Sequence, residues 1–257
     1  MNIFFDTNIS LASSNNPLLY AFVNSDLCGQ GICILLFLIS IITWVLMFER
    51  SAVFKKAQRD NDRFLRQFRS RKNPLGVTND VLSASSPMAL LYSTVCEKIS
   101  AFHLTSTNGR RALNDAELGM VKTTLEQALE DQLVKLDDKM ILLATIVSVS
   151  PFLGLLGTVW GITFAFTNLA IEGSGSIKTL APGVSGALLT TVIALIVVIP
   201  TLVGYNLLLA KIKRITVSLD NFSEEFLSRL KIEQMDSYAA SQTQQILQQP
   251  QSGNNPF

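Results

Sequence analysis

Three stretches of this 257-residue sequence contain no Asp, Glu, Lys, Arg or His, and this absence constrains the fold more than any other feature. They cover residues 27–48, 141–171 and 179–210. At about 1.5 Å of rise per residue, each stretch is long enough as a helix to cross a hydrocarbon layer of roughly 30 Å. With 48% apolar and 16% charged residues, the chain also has the composition of a membrane protein. The sequence therefore predicts three transmembrane helices.

The basic residues outside these spans predict the orientation of the chain. Lys and Arg are absent from residues 1–26, and the segments 49–140, 172–178 and 211–257 contain fifteen, one and five of them. Segments rich in Lys and Arg remain in the cytoplasm. We therefore expect a multi-pass membrane protein with its N-terminus outside and its C-terminus in the cytoplasm. In the inner membrane of a bacterium, this would be a periplasmic N-terminus.

This orientation assigns the remaining segments. Residues 1–26 are predicted to form a periplasmic N-terminal segment, 49–140 a cytoplasmic helical loop, and 172–178 a short periplasmic connection. Residues 211–235 are predicted to be a cytoplasmic helix. Residues 236–257 are rich in Gln, Ser and Asn and poor in large apolar residues, so a disordered tail is expected there.

Apolar side chains recur at helical spacing before the second span and after the third. In each stripe, successive apolar residues are three or four positions apart, which is typical of a helix that buries one face. The first stripe is Leu118, Val121, Leu125, Leu129, Leu133, Leu136 and Met140. The second is Ile212, Ile215, Leu219, Phe222, Phe226 and Leu230. Because no breaker separates the first stripe from the second span, a single helix over about 112–170 is predicted. The third span is expected to continue to about residue 232. The predicted fold is an all-α membrane protein whose second and third spans have long cytoplasmic helical extensions.

Small residues line one face of the second and third spans. Gly154, Gly157 and Gly161 step by three and four residues, and Gly183 and Gly186 begin a similar stripe in the third span. In lipid, helices associate through close backbone approach and interhelical hydrogen bonds, which favours Gly, Ala, Ser and Thr at their contacts. These five glycines are therefore predicted to be helix-packing residues.

Three prolines are candidates for helix kinks. Pro151 lies in the second span, and Pro182 and Pro200 lie in the third. Proline lacks the backbone N–H that closes the helical hydrogen bond, so it permits a local bend. Pro182 is also suited to the first turn of its helix.

Hydroxyl groups accompany the glycine faces and allow two interpretations. Thr158 and Thr191 either bond to the backbone within a tight packing surface or line a narrow polar path, with Ser150 and Thr190 as further candidates for that path. Intramembrane carboxylates and histidines are the usual proton carriers, and the spans contain none. If the chain moves protons, another chain must supply the titrating group.

Several motifs resemble the TolQ/ExbB/MotA family of proton-channel motor subunits. They are "SPFLGLLGTVWGI" at 150–162 and "APGVSGALL" at 181–189, with the "IP" and "YN" that follow in the third span. The TolQ branch is resembled most, and the ExbB branch second, because "SIITWVLMFER" at 40–50 and "LDNFSEEF" at 219–226 are similar to the first span and the C-terminal helix of TolQ.

The resemblance implies a homopentamer around a central pore that holds two copies of a TolR/ExbD-like protein with a single span. An aspartate in the partner's helix would be the proton carrier, and Thr158 and Thr191 match the two threonines that face the pore in this family. A TolA/TonB-like protein is a further expected partner. The implied function is a motor subunit driven by the proton-motive force, which transmits energy to the cell envelope or the outer membrane.

One position departs from the pattern of this family. TolQ and ExbB usually read A-P-G-x-x-E-A-L, whereas "APGVSGAL" places Gly186 where they have glutamate. The partner's aspartate would then be the sole carrier. The departure also favours an alternative, a non-conducting structural scaffold of the same fold.

Other classes of function have little support in the sequence. No nucleophile–base pair, metal cluster or phosphate loop is recognisable, so neither an enzyme nor a cofactor or metal site is expected. The basic residues after the first span are assigned to topology and lipid headgroups rather than to nucleic acid. The choice between the Tol and Exb roles, and between protons and sodium, stays open.

Overall fold

The computed structural model of the protein describes residues 16–71, 73–75, 86–105, 113–173 and 176–248. These residues form helices without any β-strand: α1 (Pro17–Val23), α2 (Leu27–Ser70), α3 (Pro87–Thr105), α4 (Asp115–Asp137), α5 (Met140–Glu172) and α6 (Ile177–Gln248). Three of them, α2, α5 and α6, are long and apolar enough to cross a membrane. The predicted all-α fold with three spans is confirmed.

The chain divides into two compact units. The membrane unit comprises Met1–Ser51 and Lys139–Leu209 and therefore contains the three apolar segments. The second unit comprises Ala52–Asp138 and Ala210–Phe257. It holds the later part of α2, the helices α3 and α4, and the later part of α6.

The prediction of one helix over about 112–170 is wrong. Helix α4 ends at Asp137, and α5 starts at Met140 after Lys139, whose φ of 63° is left-handed. A side chain in this conformation costs about 1–2 kcal/mol. In the membrane unit, the Lys139 ammonium forms a 2.7 Å ion pair with Glu49. The apolar stripe could not show this break, because its spacing continues across it and no proline or glycine marks it.

Helix α6 differs from the prediction at both ends. It begins at Ile177, so Pro182 lies in its second turn rather than in its first. It continues past residue 232 to Gln248, so the first part of the segment expected to be disordered is helical. Ala and Gln, which favour helix, are frequent there and extend a helix already nucleated by its buried part. Residues 249–257 of the expected tail lie outside the described residues.

The membrane unit has a small apolar core and large outward-facing side chains. Ile32 and Leu36 of α2 pack with Ala194 of α6. By contrast, Phe37 and Phe152 are 64% and 70% exposed. Such side chains require lipid or another protein chain as their surroundings.

The second unit is held by an aromatic cluster and an ion-pair network. Ring centroids 5.2–6.4 Å apart link Phe64, Phe68, Tyr92, Phe222 and Phe226. The residues of the predicted stripe from Ile212 to Leu230 are all buried. Next to this cluster, Glu225 accepts hydrogen bonds from Arg69 at 2.7–3.2 Å and pairs with Arg229 at 2.9 Å. The hydrogen bonds from Arg69 and the charges of both arginines lower the pKa of Glu225, although its partial burial opposes this shift.

Candidate functional site

The glycines of α5 bring its backbone against α6. A β-carbon added at Gly154 would lie 2.6 Å from Cβ of Ala194, and one at Gly161 would lie 2.7 Å from Cβ of Ala187. A β-carbon at Gly157 would overlap the side chain of Thr190. Because real β-carbons do not approach other atoms so closely, these contacts require glycine.

The two predicted packing glycines of α6 have different neighbours. Gly183 faces α5, where a β-carbon would lie 2.9 Å from Cβ of Ala165. Gly186 instead faces the segment that precedes α2, and a β-carbon there would lie 2.9 Å from Cα of Ser25 and 3.0 Å from the carbonyl oxygen of Ala21. The space beside Gly186 is therefore filled by another part of the chain.

Two threonine hydroxyls connect α6 to α5. The hydroxyl of Thr191 donates to the carbonyl oxygen of Gly154 at 2.9 Å. The hydroxyl of Thr190 lies 3.1 Å from the same oxygen and 2.7 Å from the carbonyl oxygen of Ala187. Thr190 is fully buried, whereas Thr191 is partly exposed. Both hydroxyls meet at one turn of α5, where only a glycine permits such an approach.

The two predicted hydroxyl residues of α5 bond within their own helix. Ser150 is buried and donates to the carbonyl oxygen of Ile146 at 2.7 Å. Thr158 donates to the carbonyl oxygen of Leu155 at 2.7 Å and keeps part of its surface exposed. The structure thus separates the four candidates: Thr158 and Thr191 reach the surface of the single chain, and Ser150 and Thr190 are buried inside it.

The hydrogen bonds that these hydroxyls already make determine which further groups can bond to them. A hydroxyl has one proton to donate and two lone pairs that accept. In this structure each proton is already directed at a backbone carbonyl, as the four hydrogen bonds above show. A protonated acid could donate to the free lone pairs at once, whereas a carboxylate would require the hydroxyl to turn toward it.

The three prolines all lie inside helices. Pro151 is within α5, and Pro182 and Pro200 are within α6; neither helix ends at any of them. Pro151 leaves the carbonyl oxygen of residue 147 without its usual helical donor. The predicted kinks stay predictions.

A polar contact that the sequence analysis missed joins the start of α2 to α5. The carboxylate of Asp26 accepts a 2.9 Å hydrogen bond from the indole nitrogen of Trp160. It also accepts from the backbone N–H groups of Cys28 and Gly29 at 3.2 and 3.3 Å and thereby caps α2. An aspartate immediately before an apolar run is a recognisable capping signal, but the contact with Trp160 has no signature in the sequence.

In the part of the chain that the structure describes, no group of three or more His, Cys, Asp and Glu side chains could hold a metal ion.

Comparison with known proteins gives the family of the chain. The family model described as the MotA/TolQ/ExbB proton channel family matches residues 88–221. The Tol-Pal system protein TolQ of Haemophilus influenzae is 30% identical over 219 residues, which cover 81% of this chain and 91% of that protein. The biopolymer transport protein ExbB of Neisseria meningitidis serogroup A is 28% identical over 84% of this chain and 97% of that protein. TolQ of Pseudomonas aeruginosa is 28% identical over 79% of this chain and 87% of that protein.

These matches confirm the resemblance that the motifs of the second and third spans indicated. Relatives from both predicted branches, TolQ and ExbB, align along most of their own length. Together with the three apolar helices, they describe a multi-pass bacterial membrane protein. The chain belongs to the MotA/TolQ/ExbB proton channel family.

Proposed function

We propose that this chain is an inner-membrane subunit of a motor driven by the proton-motive force. Five copies would surround two single-span partners of the TolR/ExbD type, and a TolA/TonB-like protein would carry the energy to the envelope or outer membrane. Support comes from the relatives, which are named for the Tol-Pal system and for biopolymer transport. The observation that carries the proposal is a pair of spans with hydroxyls but without any ionisable side chain.

The proposed orientation follows the distribution of Lys and Arg. The N-terminus would lie in the periplasm, and the second unit, which contains most of the basic residues, would lie in the cytoplasm. The exposed apolar side chains of the spans would then contact lipid or neighbouring subunits. We expect neither catalysis nor a cofactor.

Thr158 and Thr191 are the proposed pathway residues, because they are the two candidates with exposed surface. When the partner's aspartate is protonated, it can donate to the lone pairs of Thr158 while the hydroxyl still bonds to Leu155. When it is ionised, the hydroxyl must leave that carbonyl, which costs about 1 kcal/mol. This difference between the two states of the acid would couple proton movement to movement of the partner. Ser150 and Thr190 are assigned to packing.

The experiment measures proton flux into liposomes that contain the complex of this chain with its partner. The change is the double variant Thr158→Val and Thr191→Val, which keeps the side-chain shape and removes both hydroxyls. We expect a loss of roughly a hundredfold in flux, comparable to removing one general acid–base or donor group from a proton-transfer site. The matched control is Thr163→Val, because the exposed Thr163 also donates to its own helix, at 2.7 Å, on a different face.

The same experiment separates the motor from the alternative, a non-conducting scaffold of the same fold. The scaffold is favoured by Gly186, which stands where the family usually has glutamate. It predicts no flux in any variant above that of empty liposomes. Flux that survived the double variant together with loss of the partner's aspartate would also contradict the proposed pathway.

Of the two branches, we propose the Tol role. The motifs at 40–50 and 219–226 carry this choice. Complementation of strains that lack TolQ or ExbB tests it. Restored envelope integrity in the first strain supports the Tol role, and restored uptake only in the second strain contradicts it.

A further inference from the structure

The segment before the first span is seated on the third span. Residues 21–26, which we name the strap, contact Gly186 through backbone atoms: a β-carbon there would lie 2.9 Å from Cα of Ser25 and 3.0 Å from the carbonyl oxygen of Ala21. Ala21 is 4% exposed, although Leu18 on the same short helix is 61% exposed. The strap therefore occupies the space beside Gly186 with atoms that cannot move aside by side-chain rotation.

Hydrogen bonds hold the strap on two sides. The carboxylate of Asp26 accepts from the indole nitrogen of Trp160 in α5 at 2.9 Å. On α2, the side-chain amide nitrogen of Gln30 lies 3.2–3.4 Å from the carbonyl oxygens of Phe22, Val23 and Ser25. Hydrogen bonds to a charged acceptor are roughly twice as strong as neutral ones. The contact between Asp26 and Trp160 therefore links the strap to the second span.

We propose that the strap docks on α6 at Gly186 and holds the proposed proton pathway in place. In this proposal, Asp26 is the residue that positions Trp160. Trp160 lies two residues after Thr158 in the segment "GTVWG", so the strap fixes the helix turn that carries the proposed pathway hydroxyl. Gly186 is then required for docking. A larger residue there, glutamate included, would displace the strap rather than add a working acid. The consequence for proton flux rests on the proposed function, whereas the docking does not.

The docking is tested by cysteine accessibility in the purified full-length complex. The three native cysteines are replaced, and Ser25→Cys reports on the strap through its rate of labelling by a maleimide. Leu18→Cys, on the exposed side of α1, serves as the matched reporter. The side-chain oxygen of Ser25 is buried. Asp26→Ala and Gly186→Glu are each expected to raise labelling at position 25 about tenfold, because local opening exposes a group at this place in proportion to the open population. Labelling at position 18 is expected to stay unchanged.

Two milder variants guard against misfolding. Gly186→Ala adds only the β-carbon that already overlaps Ser25, and Trp160→Phe keeps an aromatic ring but removes the N–H donor. Both are expected to raise labelling at position 25 while the complex elutes at its normal size. Unchanged labelling at position 25 in all four variants would overturn the docking proposal.

Proton flux in the same variants tests the positioning role. We expect Gly186→Glu and Asp26→Ala to lose flux roughly in step with the opening of the strap. An open strap with normal flux would overturn the positioning role and leave the proposed function standing. A wild-type complex without any flux would overturn both the proposed function and the positioning role, while the labelling rates would still decide the docking.

Discussion

Thr190 and Thr191 are neighbours in the sequence, but their surroundings differ. Both hydroxyls reach the carbonyl oxygen of Gly154, yet only Thr190 is fully buried. A buried hydroxyl with a satisfied proton stabilises one arrangement of two helices, whereas a partly exposed one can change its partner. These surroundings support the proposal that Thr190 serves packing and Thr191 belongs to the proton pathway.

Replacement of Thr190 by valine tests this assignment. Valine has nearly the same shape and lacks the hydroxyl, so the packing of α5 and α6 loses one hydrogen bond. We expect a loss of about 0.5–1 kcal/mol in the free energy of unfolding, measured by denaturation of the detergent-solubilised protein. Thr163→Val, at an exposed site, serves as the reference. Equal stability of the two variants would contradict the assignment.

For individual residues, the sequence predicted the contacts that follow from helical periodicity. The glycine face at Gly154, Gly157 and Gly161 could be recognised because residues three and four apart share a helix face. The bond between Asp26 and Trp160 could not, because it joins residues 134 positions apart and depends on how the spans pack. The seat of the strap on Gly186 is inaccessible to sequence reasoning for the same reason.

Helices α5 and α6 approach each other closely at Gly157. We expect Gly157→Ala to disturb it, because the added carbon overlaps Thr190, and overpacking costs about 1–3 kcal/mol. Gly31→Ala is the control in the same unit, since a β-carbon there meets no atom within 4 Å and alanine favours helix. Thermal denaturation in detergent should show a lower melting temperature for the first variant and an unchanged or higher one for the second. The opposite order would show that this approach does not stabilise the unit.

The ion pair between α2 and α6 in the second unit predicts a response to acid. The pKa of Glu225 is lowered in the folded protein from its usual 4.5, chiefly by hydrogen bonds from Arg69. A lowered pKa contributes stability above pH 4.5, and this contribution is lost as the pH falls through the folded value. Because Arg69 is 56% exposed, the contribution is at most about 1 kcal/mol.

Glu225→Gln removes this contribution and its pH dependence. Thermal unfolding of the full chain at pH 6.5 should show a lower melting temperature for the variant than for the wild type. The difference should shrink as the pH falls below 4.5. A difference that stayed constant over this range would mean that the ionised carboxylate is not the cause.

The sequence predicted that the long helices exist, but it did not predict where they begin and end. The stripe from Ile212 to Leu230 predicted the buried face of α6 because its residues recur at helical spacing. The break between Asp137 and Met140 was missed, since it depends on the left-handed conformation of Lys139, and lysine seldom adopts that conformation. Local propensity could not reveal it.

For the whole molecule, the three spans were the most predictable feature, because the absence of charge over twenty or more residues leaves few other folds. The division into two units falls inside α2, between α4 and α5, and inside α6. These places lie close to residues 48, 141 and 210, where the charge-free stretches end or begin. The assembly and the partner are not properties of one chain, so they depend on the family and remain proposals.

We propose that these spans conduct protons only when another chain supplies an acid. Proton flux should be compared among liposomes that contain this chain alone, the chain with its partner, and the chain with a partner whose intramembrane aspartate is changed to asparagine. We predict flux in the second case only. Equal flux from the chain alone would contradict the claim, because the spans would then carry protons without a titrating group.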